Sequence, residues 1–271
     1  MSEMTPDALH VAATRALACL DLTSLNDADT EADVVKLCAR AQGPHGPVAA
    51  VCVWPRFAAL ARRELPAGIA VAAVANFPDG SADSARAVRD ARAIVDAGAQ
   101  EVDVVLPFAA LQRGDERAVA ELLAAVRAAC STLVLKVILE TGVLADEALI
   151  ARASQLSLAA GADFLKTSTG KTPVSATPAA ARTMLAAIAA DPRGAARVGF
   201  KASGGIRTVA DAAVYLALCE QALGADALTP RRFRIGASSL LNDIEAVLGG
   251  RAAPPAAPAG AVPPPPPAGT Y

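Results

Sequence analysis

Eight short apolar runs, separated by helix-length stretches rich in alanine, leucine and arginine, set the rhythm of this chain. The clearest runs are VAAVCVW (48–54), IAVAAVAN (69–76), EVDVVL (101–106), LVLKVILE (133–140), DFLKTS (163–168), VGFKAS (198–203) and FRIGAS (233–238). A weaker eighth, LACLDL (17–22), runs into the polar, turn-like TSLND and a helix predicted over 31–41. The runs read as continuously apolar, as parallel strands covered on both faces do. Between them, 82–97, 118–129, 178–190 and 209–222 carry good helix formers, and Asp146, Thr177 and Thr208 stand where N-caps belong. Predicted strand ends recur roughly every 22 to 35 residues, the period of an eightfold barrel. The prediction is an α/β fold, a TIM-type (β/α)8 barrel with an extra N-terminal helix. A doubly wound open sheet is the alternative, but DLTSLN lacks the glycine-rich fingerprint expected after its first strand.

The composition changes at residue 251. RAAPPAAPAGAVPPPPPAGTY has eight prolines in 21 residues and nothing to bury, so 251–271 is expected to be a flexible tail. Residues 1–250 are expected to form one catalytic domain. A formal charge of -2, with no dense cluster of lysine and arginine, argues against a nucleic-acid surface and for small-molecule partners. No basic leader and no apolar stretch of spanning length is present, so no membrane partner is expected and a cytoplasmic location is. Five scattered cysteines fit reduced core thiols, and two histidines outside any ligand spacing leave no protein-bound metal expected.

The lysines are the chemical signal. Among 25 basic residues only five are lysines: Lys36, Lys136, Lys166, Lys171 and Lys201. Where any positive charge suffices this chain uses arginine; an amine is required where a group must lose its proton or form a carbon–nitrogen double bond. A single lysine at a strand end ordinarily snorkels to water. Lys136, Lys166 and Lys201, however, fall on three consecutive predicted strands, whose inward side chains can meet near the carboxyl ends of a barrel. Asp103 offers a carboxylate two strands away from Lys166, and Asp21 ends the first predicted strand. A carboxylate in an apolar strand is rarely left unpaired, so one hydrogen-bonded charge cluster is expected. An isolated lysine is neutral in only about one molecule in 2,500 at pH 7. A second ammonium about 4 Å away costs about 4 kcal/mol at an effective dielectric near 20, enough to lower the pKa by roughly 3 units. Desolvation acts in the same direction, so Lys166 is a candidate Schiff-base nucleophile.

Three glycine-bearing turns follow the last three strands: STGKT (168–172), SGGIRT (203–208) and GASS (236–239). Each can present backbone N–H groups to an anion, with Lys171 and Arg207 adding charge and Ser238 and Ser239 opening the last helix. The implied substrate is a small phosphorylated carbonyl compound.

LDLTSLN (20–26), FPDG (77–80), EVDVVLP (101–107), LKVILETG (135–142), GADFLKTSTGK (161–171), GFKASGGIRT (199–208) and RIGASSLL (234–241) together resemble the deoxyribose-phosphate aldolases, class I aldolases. The resemblance implies reversible cleavage of 2-deoxy-D-ribose 5-phosphate to acetaldehyde and D-glyceraldehyde 3-phosphate, a step of deoxyribonucleotide catabolism, with no cofactor. It implies that Lys166 forms the Schiff base and Lys201 depresses its pKa. Asp103 would work with Lys201 and an ordered water as proton relay, with Lys136 and Asp21 in the supporting network. Phosphate contacts would fall to Gly170, Lys171, Gly204, Gly205, Arg207, Gly236, Ser238 and Ser239. Some members of the family end in a tyrosine on a flexible tail that assists proton transfer, a place Tyr271 would take here. A homodimer or homotetramer is expected for a symmetric soluble enzyme. From the residues alone three alternatives stand: another Schiff-base barrel aldolase, a lysine that holds pyridoxal phosphate, and a non-catalytic scaffold whose proline tail docks a partner.

Overall fold

In a computed structural model, which describes residues 4–192 and 194–250, eight strands form a closed, all-parallel barrel. Tyr271 and the predicted tail lie outside the described residues. The strands are β1 (Leu20–Thr23), β2 (Ala50–Val53), β3 (Ala70–Ala75), β4 (Glu101–Val105), β5 (Val134–Ile138), β6 (Phe164–Lys166), β7 (Gly199–Ser203) and β8 (Phe233–Ala237). They pair in chain order and β8 closes on β1, Asp21 standing opposite Gly236. Every strand is followed by at least one helix, the last being Leu240–Leu248. The predicted caps are in place: the side chains of Asp146, Thr177 and Thr208 accept from Leu149, Ala180 and Asp211 amides, Thr208 within a capping box. Such caps satisfy amides that would otherwise lack a partner in the first helical turn.

Two local differences from the predicted elements have simple causes. The first strand begins at Leu20 and not at residue 17, because an extra helix, Pro6–Ala18, capped by Thr5 and with proline in its first turn, runs up to it. The short helices Phe108–Gln112 and Thr141–Leu144 were not predicted; four or five residues carry no helical period to read. Among the described residues no helix is long and apolar enough to cross a membrane.

The strands also alternate more strictly than their apolar composition suggests. Leu20, Leu22, Val51, Val53, Val71, Ala73, Val102, Val104, Leu135, Val137, Leu165, Phe200, Phe233 and Ile235 belong to the main core, between sheet and helices. The residues between them turn into the barrel. On β2 to β5 these include Cys52, Ala72, Val74, Val105 and Ile138, which join Leu25 and Phe77 in a second, smaller apolar cluster. Further inward positions carry the buried charges Asp21, Glu101, Asp103, Lys136, Lys166, Lys201 and Arg234. The helices supply the apolar partner that the outer face needs, and the inner face is thereby left free for chemistry.

The barrel floor is tight. Gly199 stands opposite Phe164 in the β6–β7 register, and a Cβ on Gly199 would lie 2.3 Å from the Phe164 ring. Gly199→Ala is expected to lower stability by about 1–3 kcal/mol, with Phe164→Leu in the same chain recovering part of the loss, both read from denaturant midpoints.

Candidate active site

Seven ionisable side chains form one connected network inside the barrel. At its lower end Arg234 of β8 donates to Glu101 of β4 at 2.7 Å and to Asp21 of β1 at 2.6 Å. Lys136 of β5 lies 2.5 Å from Glu101, 2.8 Å from Asp103 and 3.2 Å from Asp21. Lys201 of β7 joins Asp21 at 2.5 Å and Asp103 at 2.8 Å. Lys166 of β6 reaches one carboxylate, donating to Asp103 Oδ2 at 2.8 Å. Lys201 donates to that same oxygen, so the two amines meet across a single acceptor. A Cβ on Gly236 would approach Lys201 Cε to 3.0 Å and Ser203 Oγ to 2.4 Å; glycine there leaves space for the lysine.

The balance of charge singles out Lys166. Three carboxylates face four cations, so in the fully ionised network one positive charge has no counterpart. Lys136 touches three carboxylates, Lys201 and Arg234 two each, and Lys166 only the one it shares with both other lysines. Burial drives the Lys166 pKa below its ordinary value; Asp103 opposes the fall and Lys201 adds to it. For Lys201 burial pulls the same way, but Asp103 and Asp21 outweigh it and hold the ammonium above its ordinary value. Lys136 is held higher still against burial by Asp103, Asp21 and Glu101. Burial would raise both aspartates, yet the lysines keep Asp103 and Asp21 well below the usual carboxylate range. Lys166 is thus the one lysine of the network made easier to deprotonate. The second ammonium contributes as expected, but desolvation is the larger cause.

Beyond the charges, at the carboxyl ends of the strands, lies a cleft of about 300 Å3 whose lining includes all eight residues predicted to hold a phosphate. Gly170, Gly204 and Gly205 adopt φ of 79°, 84° and 80°, a backbone conformation in which glycine has no steric penalty. Among the described residues the amides of Gly170, Gly205 and Ser239 donate to no acceptor. Ser239 is the N-cap of Leu240–Leu248 without a side-chain capping bond. Lys171 spans the cleft, its Nζ donating to Leu25 O at 2.7 Å, and Arg207 adds a second exposed cation. Free amides, a helix N-terminus and two cations make a seat for an anion.

The structure therefore gathers Asp21, Asp103, Lys136, Lys166 and Lys201 into one network and the eight glycine-turn residues into one cleft. Tyr271 lies outside the described residues. Sequence reasoning passed over Glu101 and Arg234. The rule that led to Asp103, that a carboxylate in an apolar strand needs a partner, applied equally to Glu101 two residues earlier. Arg234 was missed because arginine was read as the chain's ordinary surface cation. Cys52, 4.0 Å from Asp103 Oδ2, was counted only as a core thiol; burial raises its pKa, so it remains neutral.

The family model described as DeoC/LacD family aldolase matches residues 15–246. Among solved structures, the chain is similar to a candidate deoxyribose-phosphate aldolase from Toxoplasma gondii ME49, with 25% identity, 89% of this chain and 97% of that one covered, and a TM-score of 0.82. It is similar to QR15, an aldolase, at 30% identity over 86% of this chain and 96% of that one, with a TM-score of 0.74. It is also similar to the deoxyribose phosphate aldolase from Aeropyrum pernix, described as a unique tetramer, at 29% identity over 89% and 92% of the two chains, with a TM-score of 0.66.

The charge surplus has a measurable signature. Arg234→Met, which strips a partner from two buried carboxylates, is expected to lower stability by about 3–5 kcal/mol. Lys166→Met removes the least compensated cation and is expected to leave stability unchanged or raised at pH 7. Between its depressed pKa and the ordinary 10.5, folded Lys166 holds fewer protons than the unfolded chain, so wild-type stability rises with pH. Any advantage of Lys166→Met in denaturant unfolding should accordingly shrink as pH approaches 10.5.

Proposed function

The chain belongs to the DeoC/LacD aldolase family, and we propose that its reaction is the reversible cleavage of 2-deoxy-D-ribose 5-phosphate to acetaldehyde and D-glyceraldehyde 3-phosphate through a Schiff base on Lys166. The observation that carries this reading is the pairing of Lys166 and Lys201 on one oxygen of Asp103, inside the barrel that opens on the anion cleft.

The uncharged Lys166 amine adds to the aldehyde carbon of the open-chain sugar, and loss of water leaves an iminium. A base then takes the proton of the C3 hydroxyl and the C2–C3 bond breaks. Its electron pair moves through C2 to the iminium nitrogen, releasing D-glyceraldehyde 3-phosphate and leaving an enamine. Protonation at C2 and addition of water free acetaldehyde and restore the amine. Asp103, with Lys201 and an ordered water, carries these protons: its Oδ2 already joins the two amines, so a proton shift between them needs little movement. Lys136 and Asp21 hold Asp103 and Lys201 in that arrangement. The substrate phosphate rests among Gly170, Lys171, Gly204, Gly205, Arg207, Gly236, Ser238 and Ser239. The apolar wall of Cys52, Val74, Val105, Ile138 and Phe77 keeps the reacting end dry. A homodimer or homotetramer is the assembly proposed, by analogy with the Aeropyrum pernix tetramer.

Incubation with acetaldehyde followed by borohydride should leave a stable adduct on Lys166, located by peptide mass spectrometry, and Lys166→Arg should fold without adduct or turnover; an adduct on another residue would refute the assignment. Lys201→Leu removes a positive charge beside Lys166 and raises its pKa, so the pH–rate profile should move to higher pH while substrate still binds. An unchanged profile would contradict the role given to Lys201.

A further inference from the structure

Glu140 is a fully buried carboxylate that the chemistry above does not use. It follows β5 with φ of 54°, a left-handed conformation disfavoured for any residue that carries a Cβ. Its partners among the described residues are hydroxyls and one amide, with no lysine or arginine. Oε2 accepts from the Thr169 hydroxyl and, at 3.3 Å, from the Thr169 amide; Oε1 lies 3.2 Å from the Thr172 hydroxyl, whose single proton it shares with the nearer Val174 carbonyl at 2.9 Å. All three donors belong to the segment after β6, the segment that brings Gly170 and Lys171 to the anion cleft. A carboxylate offers acceptors only, so the single proton of the Thr169 hydroxyl is committed to Glu140. The lone pairs of that hydroxyl then face the Lys171 amide, which donates to it at 3.0 Å. This chain of bonds fixes the peptide between Gly170 and Lys171 and satisfies the Lys171 amide internally, while the Gly170 amide stays without an acceptor among the described residues.

We propose that Glu140 is a positioning residue for the anion cleft: by clamping Thr169 through its hydroxyl and amide it sets the Gly170 amide and the Lys171 side chain toward a phosphate. The inference rests on reading that cleft as the phosphate seat. A held conformation that the chain would not adopt alone marks a segment whose shape is used, and here the strained residue and the clamp are the same residue. Preorganisation of this kind shows in substrate binding before it shows in the chemical step.

The test is steady-state kinetics of the full-length enzyme on 2-deoxyribose 5-phosphate and on unphosphorylated 2-deoxyribose. Glu140→Ala is expected to raise KM for the phosphorylated sugar at least about tenfold while kcat/KM for the unphosphorylated sugar stays within about twofold. Glu140→Gln can still accept from Thr169 and donate to the Thr172 hydroxyl, and should recover most of the KM. Equal losses on both sugars, or an unchanged KM, would overturn the proposal. Should Glu140→Ala fail to fold, Thr169→Val, which removes the hydroxyl that joins Glu140 to the Lys171 amide, should show the same selective rise in smaller degree; a uniform effect or none would overturn it equally. A wild type that turns over both sugars alike would refute the phosphate reading and this inference with it. A wild type that prefers the phosphorylated sugar, beside a Glu140→Ala that loses both equally, would refute this inference alone.

Discussion

Everything in the barrel interior depends on one imbalance: three buried carboxylates set against four buried cations. An ion taken out of water is tolerated only where partners replace its hydration. Glu101, Asp21 and Asp103 are shared so that Lys136, Lys201 and Arg234 each have two or three partners. Lys166 is left with part of one. The network becomes neutral when a single proton leaves, and Lys166 is the lysine from which burial removes it most readily. On the proposed reading the nucleophilic amine arises from incomplete pairing, without any group assigned solely to deprotonate it.

The closed sheet makes this arrangement stable. Its outer face packs on helices through a large apolar core, and the energy of that burial supports an inner face crowded with charge. Inside, the charges come from β1 and β4 to β8, and beside them lies the apolar cluster of Cys52, Ala72, Val74, Val105, Ile138, Leu25 and Phe77. Low polarity beside the amines strengthens every interaction among them and adds to the desolvation that lowers the Lys166 pKa. The cleft proposed for the phosphate is built differently: it offers chiefly backbone amides of glycine turns and a helix start, which would lose no side-chain freedom on binding. Glu140 links the two regions, since it stands after β5 and holds the segment that follows β6.

Much of this was readable from the chain, for identifiable reasons. Apolar runs mark strands, caps such as Asp146, Thr177 and Thr208 mark helix starts, and their period marks the barrel. The scarcity of lysine beside arginine pointed to Lys136, Lys166 and Lys201, because chemistry that needs an amine cannot use guanidinium. Glu101 and Arg234 escaped notice although they lie within the same runs. Each looks ordinary until the barrel closes and brings strands 4 and 8 face to face across the floor. Glu140 was still less visible, since its partners lie about 30 residues downstream in a turn with no period.

Sequence alone determined the order and type of the main strands and helices, the rarity of the amines and the glycine turns, because these follow from local periodicity and from what each side chain can do. Tertiary structure alone decided which cation was left short of a carboxylate, and so which lysine of the network is easier to deprotonate. That outcome depends on distances between side chains from six strands, set by the register and closure of the sheet, and no local stretch of sequence contains them.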